Sequence, residues 1–392
     1  MKTLIEIHAI QNFAPSNLNR DDTGAPKDAI FGGVRRARIS SQCLKRAIRQ
    51  HFAEMIEAKK LNAENLASRT KRVMDAIIGE LKTKGHSEDE AAGKVRLAFS
   101  AMGLNIKEDG KTEYLLFLGK QEISRLAEIL DTHWDSFVAG ENSSVEGKKA
   151  GKGKKDSTKL ADPELKKALD RVLDGGKALD LALFGRMLAD MPDKNQDAAC
   201  QVAHAISTHG VDREFDFYTA VDDLKPEDAA GADMMGTVEF NSACFYRYAV
   251  VDWEKLVQNL QGDVPLATEG LNAFLDGFVI SEPTGKQNTF AAHNPPEFVA
   301  VSVRQNTAPR SLANAFESPV HVTKQQSLTQ ISVERLVAQA QKLQAAYGGD
   351  GETFVMDLSD AKVSEGGVAC KSLEELLGKV SDSLKSCESP KE

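Results

Sequence analysis

The chain is poor in the residues that disulfide-stapled and zinc-built proteins depend on. Its 392 residues hold five cysteines, Cys43, Cys200, Cys244, Cys370 and Cys387, widely scattered and without a CxxC pair. That pattern argues against both a disulfide framework and a thiolate zinc site, and predicts reduced thiols. No apolar run reaches the length of a membrane span, and the opening MKTLIEIHAIQNF lacks the order of charged, apolar and small residues found in a signal peptide. A soluble cytoplasmic protein with no membrane partner is expected.

Catalytic signatures are equally scarce. His204 and His209 are too far apart in sequence to share one helical turn as the HExxH zinc pair does. Asp109-Gly110-Lys111-Thr112 imitates the end of a P-loop, but position 105 is Asn where that motif needs Gly. Asp21-Asp22 and Asp222-Asp223 have the chemistry to bind Mg²⁺, although adjacent carboxylates in turns more often face solvent or cap helices. No Gly-x-Ser-x-Gly or Cys/His arrangement stands out, and the RNP word of an ordinary RNA-recognition motif is missing. The expectation is no catalytic residue, no metal and no cofactor.

What the chain does have is a core and a separation of charge. At 41 % apolar it can bury a sizeable interior and has room for two or three lobes. Residues 17–51, NLNRDDTGAPKDAIFGGVRRARISSQCLKRAIRQH, carry eight Lys or Arg against three Asp, in a chain of net charge −9. The stretch is therefore +5 and the remainder −14. A local cationic patch in an anion-repelling protein points to an anionic ligand held at one place.

The same stretch has a readable shape. Asn17 to Lys27 is polar, with Gly24 and Pro26, and predicts an exposed loop. Gly32-Gly33 marks a second turn, Val34 to Ile39 reads as a short strand, and Ser40 or Ser41 suits the N-cap of a helix over about 41–58. Leu44, Ala47, Ile48, Phe52, Met55 and Ile56 fall on one face of that helix, with Lys45, Arg46 and Arg49 on its flank. Backbone N–H groups at a helix start bind phosphate, and Ser40, Ser41 and Gln42 add hydroxyl and amide donors. The competing reading is a solvated basic helix face.

Around this stretch the chain alternates in character. Thr3 to Ile10 reads as a central strand, and helical spacing dominates from about residue 61 to 188. Inside that block, 146–159 packs six lysines among three glycines and cannot bury a core. It reads as a solvated connection, with Lys148, Lys149, Lys152, Lys154 and Lys155 as candidate contacts to DNA phosphates. Residues 203–252 suggest an extended hairpin that carries Phe215, Phe217 and Tyr218 near its tip. Exposed aromatics there suit stacking on bases, worth about 1–3 kcal/mol each.

The words LNRDD, KDAIFGG, RRARISSQ and LKRAIR, in that order, resemble the N-terminal signature of the CasC family, the repeating backbone subunit of the type I-E CRISPR surveillance complex known as Cascade. AHAISTH, DREFDFYTAVDDL and FYRYA resemble the family's thumb. The Gly285-Lys286-Gln287 turn with Phe290, Asn294 and Pro295, and SLANAFE at 311–317, match further words of it. The resemblance implies an α+β fold: a modified ferredoxin-like (RRM-like) palm, a helical fingers insertion and an extended thumb hairpin. On that plan 1–60 is the first part of the palm, 61–188 the fingers, 189–202 a palm link, 203–239 the thumb and 240–392 the rest of the palm.

The function so implied is a non-catalytic scaffold. Copies stack head to tail along one crRNA, hold its backbone, present bases to the target DNA strand, and are capped at the filament ends by other Cascade subunits. The expected phosphate contacts are Arg20, Lys27, Arg38, Ser40, Gln42, Lys45, Arg46 and Arg49, with Lys286 added at its glycine turn. Phe217 and Tyr218 are the expected wedge and Met187 the residue packing against a displaced base. The alternative is a metal-dependent RNA-cleaving backbone subunit, as in type III relatives.

Overall fold

The computed structural model describes residues 2–137, 163–223, 234–362 and 367–388. Its strands in chain order are β1 (Thr3–Ser16), β2 (Asp28–Phe31), β3 (Val34–Ile39), β4 (Ala67–Thr70), β5 (Leu116–Gly119) and β6 (Cys200–Val202). β7 (Ala205–Ser207), β8 (Glu214–Ala220), β9 (Met234–Asp252), β10 (Phe298–Gln305), β11 (Asp350–Asp357) and β12 (Val368–Ala369) follow. The fold is α+β and divides into two units, 1–55 with 200–254 and 268–392, and 56–199 with 255–267.

The first unit is built on a sheet ordered β12-β11-β10-β1-β9-β7-β3-β2, in which only the β11–β12 pair is parallel. β1 lies near its centre, paired with β10 on one side and β9 on the other. It is buried along almost its whole length, as a near-continuous apolar strand must be when both faces are covered. On one face Leu4, Ile10, Tyr246, Tyr248 and Phe298 pack under the helix Leu328–Tyr347 through Val333 and Leu336. β9 is the spine: its second half pairs with β1, β6 and β7, and its first half runs out with β8 as a two-stranded arm.

The helix α1 (Ser41–Glu57) follows β3 directly and buries Leu44, Ala47, Ile48 and Phe52. Each large side chain so buried contributes about 1.5–3 kcal/mol, which clamps the helix and leaves its basic flank outside. Gly277 lets the helix Val264–Ile280 pass close to α1: a Cβ there would lie 3.2 Å from Ile48. His51 fixes the pair by binding Asp276 at 2.7 Å.

The second unit has its own core, with Val73, Ile77, Leu81, Val95, Phe99, Leu126, Leu130, Leu165 and Leu169 drawn from four helices. At its centre Arg186 and Glu122 form a fully buried ion pair at 2.9 Å. Glu122 also accepts the N–H groups of Gly119 and Gly175, so its remaining lone pairs are satisfied and the charge is tolerated inside. No helix of the described residues is long and apolar enough to cross a membrane.

Candidate nucleic-acid interface

The basic stretch is organised by asparagines and a turn aspartate. Asn17 is fully buried and its amide donates to Gly24 O at 3.0 Å and to Glu239 O at 2.8 Å. Asn19 accepts the Ser40 N–H at 2.8 Å, tying the loop to the start of α1. Asp21 accepts from the Thr23 hydroxyl at 2.7 Å and from the N–H groups of Thr23 and Ala25. The Thr23 hydroxyl bond holds its carboxyl below the usual range. These partners correct the expectation of a fully exposed loop: Asn17, Leu18, Ala25 and Pro26 are buried because their backbone folds back on itself.

The ledge that results gathers most of the expected phosphate contacts in the first unit. Ser40 caps α1, its hydroxyl accepting the Cys43 N–H at 3.4 Å, and no acidic residue in the first turn neutralises the positive end of the helix dipole. Lys27 and Arg38 are adjacent through the Arg38 N–H to Lys27 O bond of 2.9 Å. The Arg38 guanidinium donates to Asp28 O at 3.0 Å and meets His204 Nδ1 at 3.1 Å. Burial, then Arg38 and Lys27, lower the His204 pKa, while burial raises the Cys43 thiol against the pull of Arg46 and Lys27. Lys27 and Arg38 also line one small hollow with Asn19, whose side chain takes the Ser40 N–H at the start of α1. Gln42 is exposed in that turn, and Lys45 and Arg49 are half-buried on the flank.

Two of the arginines that give the stretch its charge do other work. Arg36 is 0 % exposed and donates to Ser207 O, Phe316 O and Glu317 O at 3.1, 2.8 and 3.2 Å. Gly32 presses on the same segment, since a Cβ there would sit 1.8 Å from Glu317 O. The words KDAIFGG and SLANAFE are therefore one structural feature. Arg35 pairs with Asp28, which also binds Arg213 at 3.0 Å. Burial alone would raise Asp28; the Arg35 and Arg213 hydrogen bonds bring it below the ordinary carboxylate range.

Lys286 comes to the ledge by backbone packing. A Cβ on Gly285 would lie 2.2 Å from Leu18 O, so only glycine lets the 283–286 turn dock there. Pro283, Thr284 and Gly285 form one side of a cleft of about 570 Å³, with Arg20, Arg46 and Gln50 on the other. Lys286 itself is half-buried, in a left-handed backbone conformation (φ 52°).

The β8–β9 arm leaves the same unit. Phe215, Asp216, Phe217 and Tyr218 stand opposite Glu239, Val238, Thr237 and Gly236. Strand alternation puts Phe215 and Phe217 on one face and Tyr218 on the other. Phe215 is 66 % and Phe217 64 % exposed, whereas Tyr218 lies over Gly236, where a Cβ would be 2.5 Å from its hydroxyl. Arg213 anchors the base of the arm by bridging Asp28 and Glu239, both within 3.1 Å. The strand Ala205–Ser207, expected in the thumb, instead pairs with β3 and β9 in the main sheet.

Met187 belongs to the second unit and is 82 % exposed beside the anchored Arg186, so it is not core filler. Lys148, Lys149, Lys152, Lys154 and Lys155 lie outside the described residues. Among the described residues no group of three or more His, Cys, Asp or Glu is placed to hold a metal ion. Sequence reasoning gave no part in the site to Asn17, Asn19, His204 or Arg213, and of these only Arg213, a lone cation between acidic neighbours, left a signal in the sequence.

A ledge with backbone donors, several cations and a neighbouring aromatic arm can hold a sugar-phosphate chain and stack its bases. The model of the CT1975-like protein family matches residues 5–379. The chain is similar to a chain of a CRISPR RNA-guided surveillance complex described as pre-nicking, at 31 % identity and TM-score 0.81, over 97 % of this chain and 99 % of that one. It is also similar to a chain of another CRISPR RNA-guided surveillance complex, at 26 % identity and TM-score 0.72, over the same shares of the two chains. No curated protein matches it.

Proposed function

The chain belongs to the CT1975-like protein family, and on that premise we propose that it is a non-catalytic backbone subunit of a CRISPR surveillance complex of the type I-E, Cascade class. Copies grip the guide crRNA by its phosphates, stack head to tail along it, and present bases to the target DNA strand. Other subunits cap the filament. The sheet with its covering helices serves as the ferredoxin-like palm, the second unit as the fingers and the β8–β9 arm as the thumb.

One observation carries the reading: Lys27 and Arg38 stand together beside Asn19, which ties their loop to the Ser40-capped start of α1, in a chain whose net charge is −9. Phosphates are the same for every spacer, so such a grip accepts any guide, and base pairing supplies specificity. RNA cleavage has less support, because the Asp21 carboxylate is engaged in its own turn. Purified with guide RNAs of increasing length, the protein is expected to form particles that gain copies in proportion to length and leave paired target RNA uncut in Mg²⁺. A single copy per guide at every length would overturn the scaffold reading; cleavage would overturn its non-catalytic part.

A further inference from the structure

A cavity of about 560 Å³ in the first unit shares no residue with the ledge, the cleft or the arm. It lies between the sheet and the helix Leu328–Tyr347. Its walls are mostly aliphatic: Phe298 and Ala300 on the sheet, Leu336, Val337, Ala340 and Leu343 on the helix. The volume falls within the range of small-molecule sites.

The polar end is built from His8, Arg304 and Arg310. Arg304 is 12 % exposed and reaches Glu6 through Nη1 at 3.3 Å, while its Nη2 is sealed from solvent and has no partner. Arg310 donates to Gln344 Oε1 at 3.0 Å and Gly348 O at 2.6 Å. Glu6 is fully engaged, accepting from Tyr248 OH, Arg304 and the Arg310 N–H. Two guanidinium groups therefore face one carboxylate, and the end of the cavity carries one uncompensated positive charge.

His8 Nδ1 and the Tyr246 hydroxyl are 2.9 Å apart, and that hydroxyl also accepts the Leu312 N–H at 2.9 Å; His8 Nε2 makes no hydrogen bond among the described residues. Burial, with Arg304 beside it, pushes the His8 pKa down to about 3, so the ring stays neutral at ordinary pH.

We propose that this cavity binds a small aliphatic monocarboxylate, its head at the cationic end beside His8, Arg304 and Arg310 and its chain along the helix wall. One surplus positive charge selects a monoanion over a dianion, and aliphatic walls without base-edge donors select an alkyl chain over a nucleotide. Neither choice depends on RNA binding.

Decanoate titrated calorimetrically into the full chain, below its micelle-forming concentration, is expected to bind one to one and saturably. Decanol should bind at least tenfold more weakly. Arg304→Gln should weaken decanoate by about tenfold, and Ala340→Phe, which fills the apolar wall and leaves the Glu6 network intact, should abolish binding while circular dichroism stays unchanged. If Arg304→Gln fails to fold, the Ala340→Phe result decides. No saturable decanoate binding, equal affinity for decanol, or wild-type binding by Ala340→Phe would overturn the proposal.

Discussion

The ledge and the β8–β9 arm both stand at the surface of the first unit, yet they are made in opposite ways. On the ledge the backbone turns are held from within: Asn17, Asn19, Asp21 and Ser40 each bind N–H or C=O groups of the same stretch. On the arm all seven residues of β8 are exposed, and ladder bonds, the Arg213 bridge and the Asn17 bond to Glu239 O at its base hold it. The ledge is pre-organised, so it gives up little entropy when a phosphate arrives. The arm has no core of its own among the described residues, and Phe215 and Phe217 stand largely exposed on it.

That contrast can be broken most severely from underneath the ledge. Arg36→Met leaves three buried carbonyls without their donor and is expected to cost about 3 kcal/mol, read as a lower urea midpoint. Because Gly32 abuts Glu317, Gly32→Ala should cost a comparable amount, and combining the two should give less than the sum. Full additivity would mean they do not share the 316–317 segment.

Next in size is the loss of grip. Lys27→Ala with Arg46→Ala should leave the urea midpoint nearly unchanged and weaken guide binding by about ten- to a hundredfold, with the slope of log K against log salt smaller by about 1.4. An unchanged slope would remove these two residues from the phosphate contacts.

The arm should respond in the opposite sense to Arg36. Phe215→Ala with Phe217→Ala is expected to shift stability by less than about 0.5 kcal/mol, yet to quench about tenfold of base-stacking affinity, visible as 2-aminopurine fluorescence in the guide. Tyr218→Ala should do less, since that ring already lies on Gly236. Equal effects of all three would mean that the two faces of β8 are equivalent.

The smallest effect concerns how α1 is pinned. The hydrogen bond to Asp276 raises the His51 pKa above 6.5, with burial opposing it and Glu54 helping. A raised folded value means that the extra stability is fully present below the unfolded pKa and fades as pH rises through the folded one. Wild type should therefore exceed His51→Gln by under about 1 kcal/mol at pH 5.5 and converge with it at alkaline pH. Convergence on acidification would reverse the sign and refute the pairing.

Local chemistry was legible in the sequence; long-range packing was not. Val34 to Ile39 as a strand and the helix from Ser41 follow from alternation, a cap residue and helical spacing, all of which act within a few residues. The α+β class came from the family resemblance and only loosely from the order of strands and helices. What sequence could not separate is Arg36 from Arg38: both stand in RRARISSQ, yet one is entombed under Glu317 and the other meets His204 at the surface. Their fates are set by residues 166 or more positions away. Gly285 likewise looks like any turn glycine until Leu18 is placed against it.

Sequence-blind gripping is tested most directly by measuring guide affinity for several unrelated RNAs of one length across a salt series. Phosphate contact at the ledge requires dissociation constants that agree within about threefold at each salt and fall on one steep line, with Lys27→Ala and Arg46→Ala flattening all of them alike. A spread beyond about tenfold between sequences, persisting at high salt, would mean that bases are read by the protein and would contradict it.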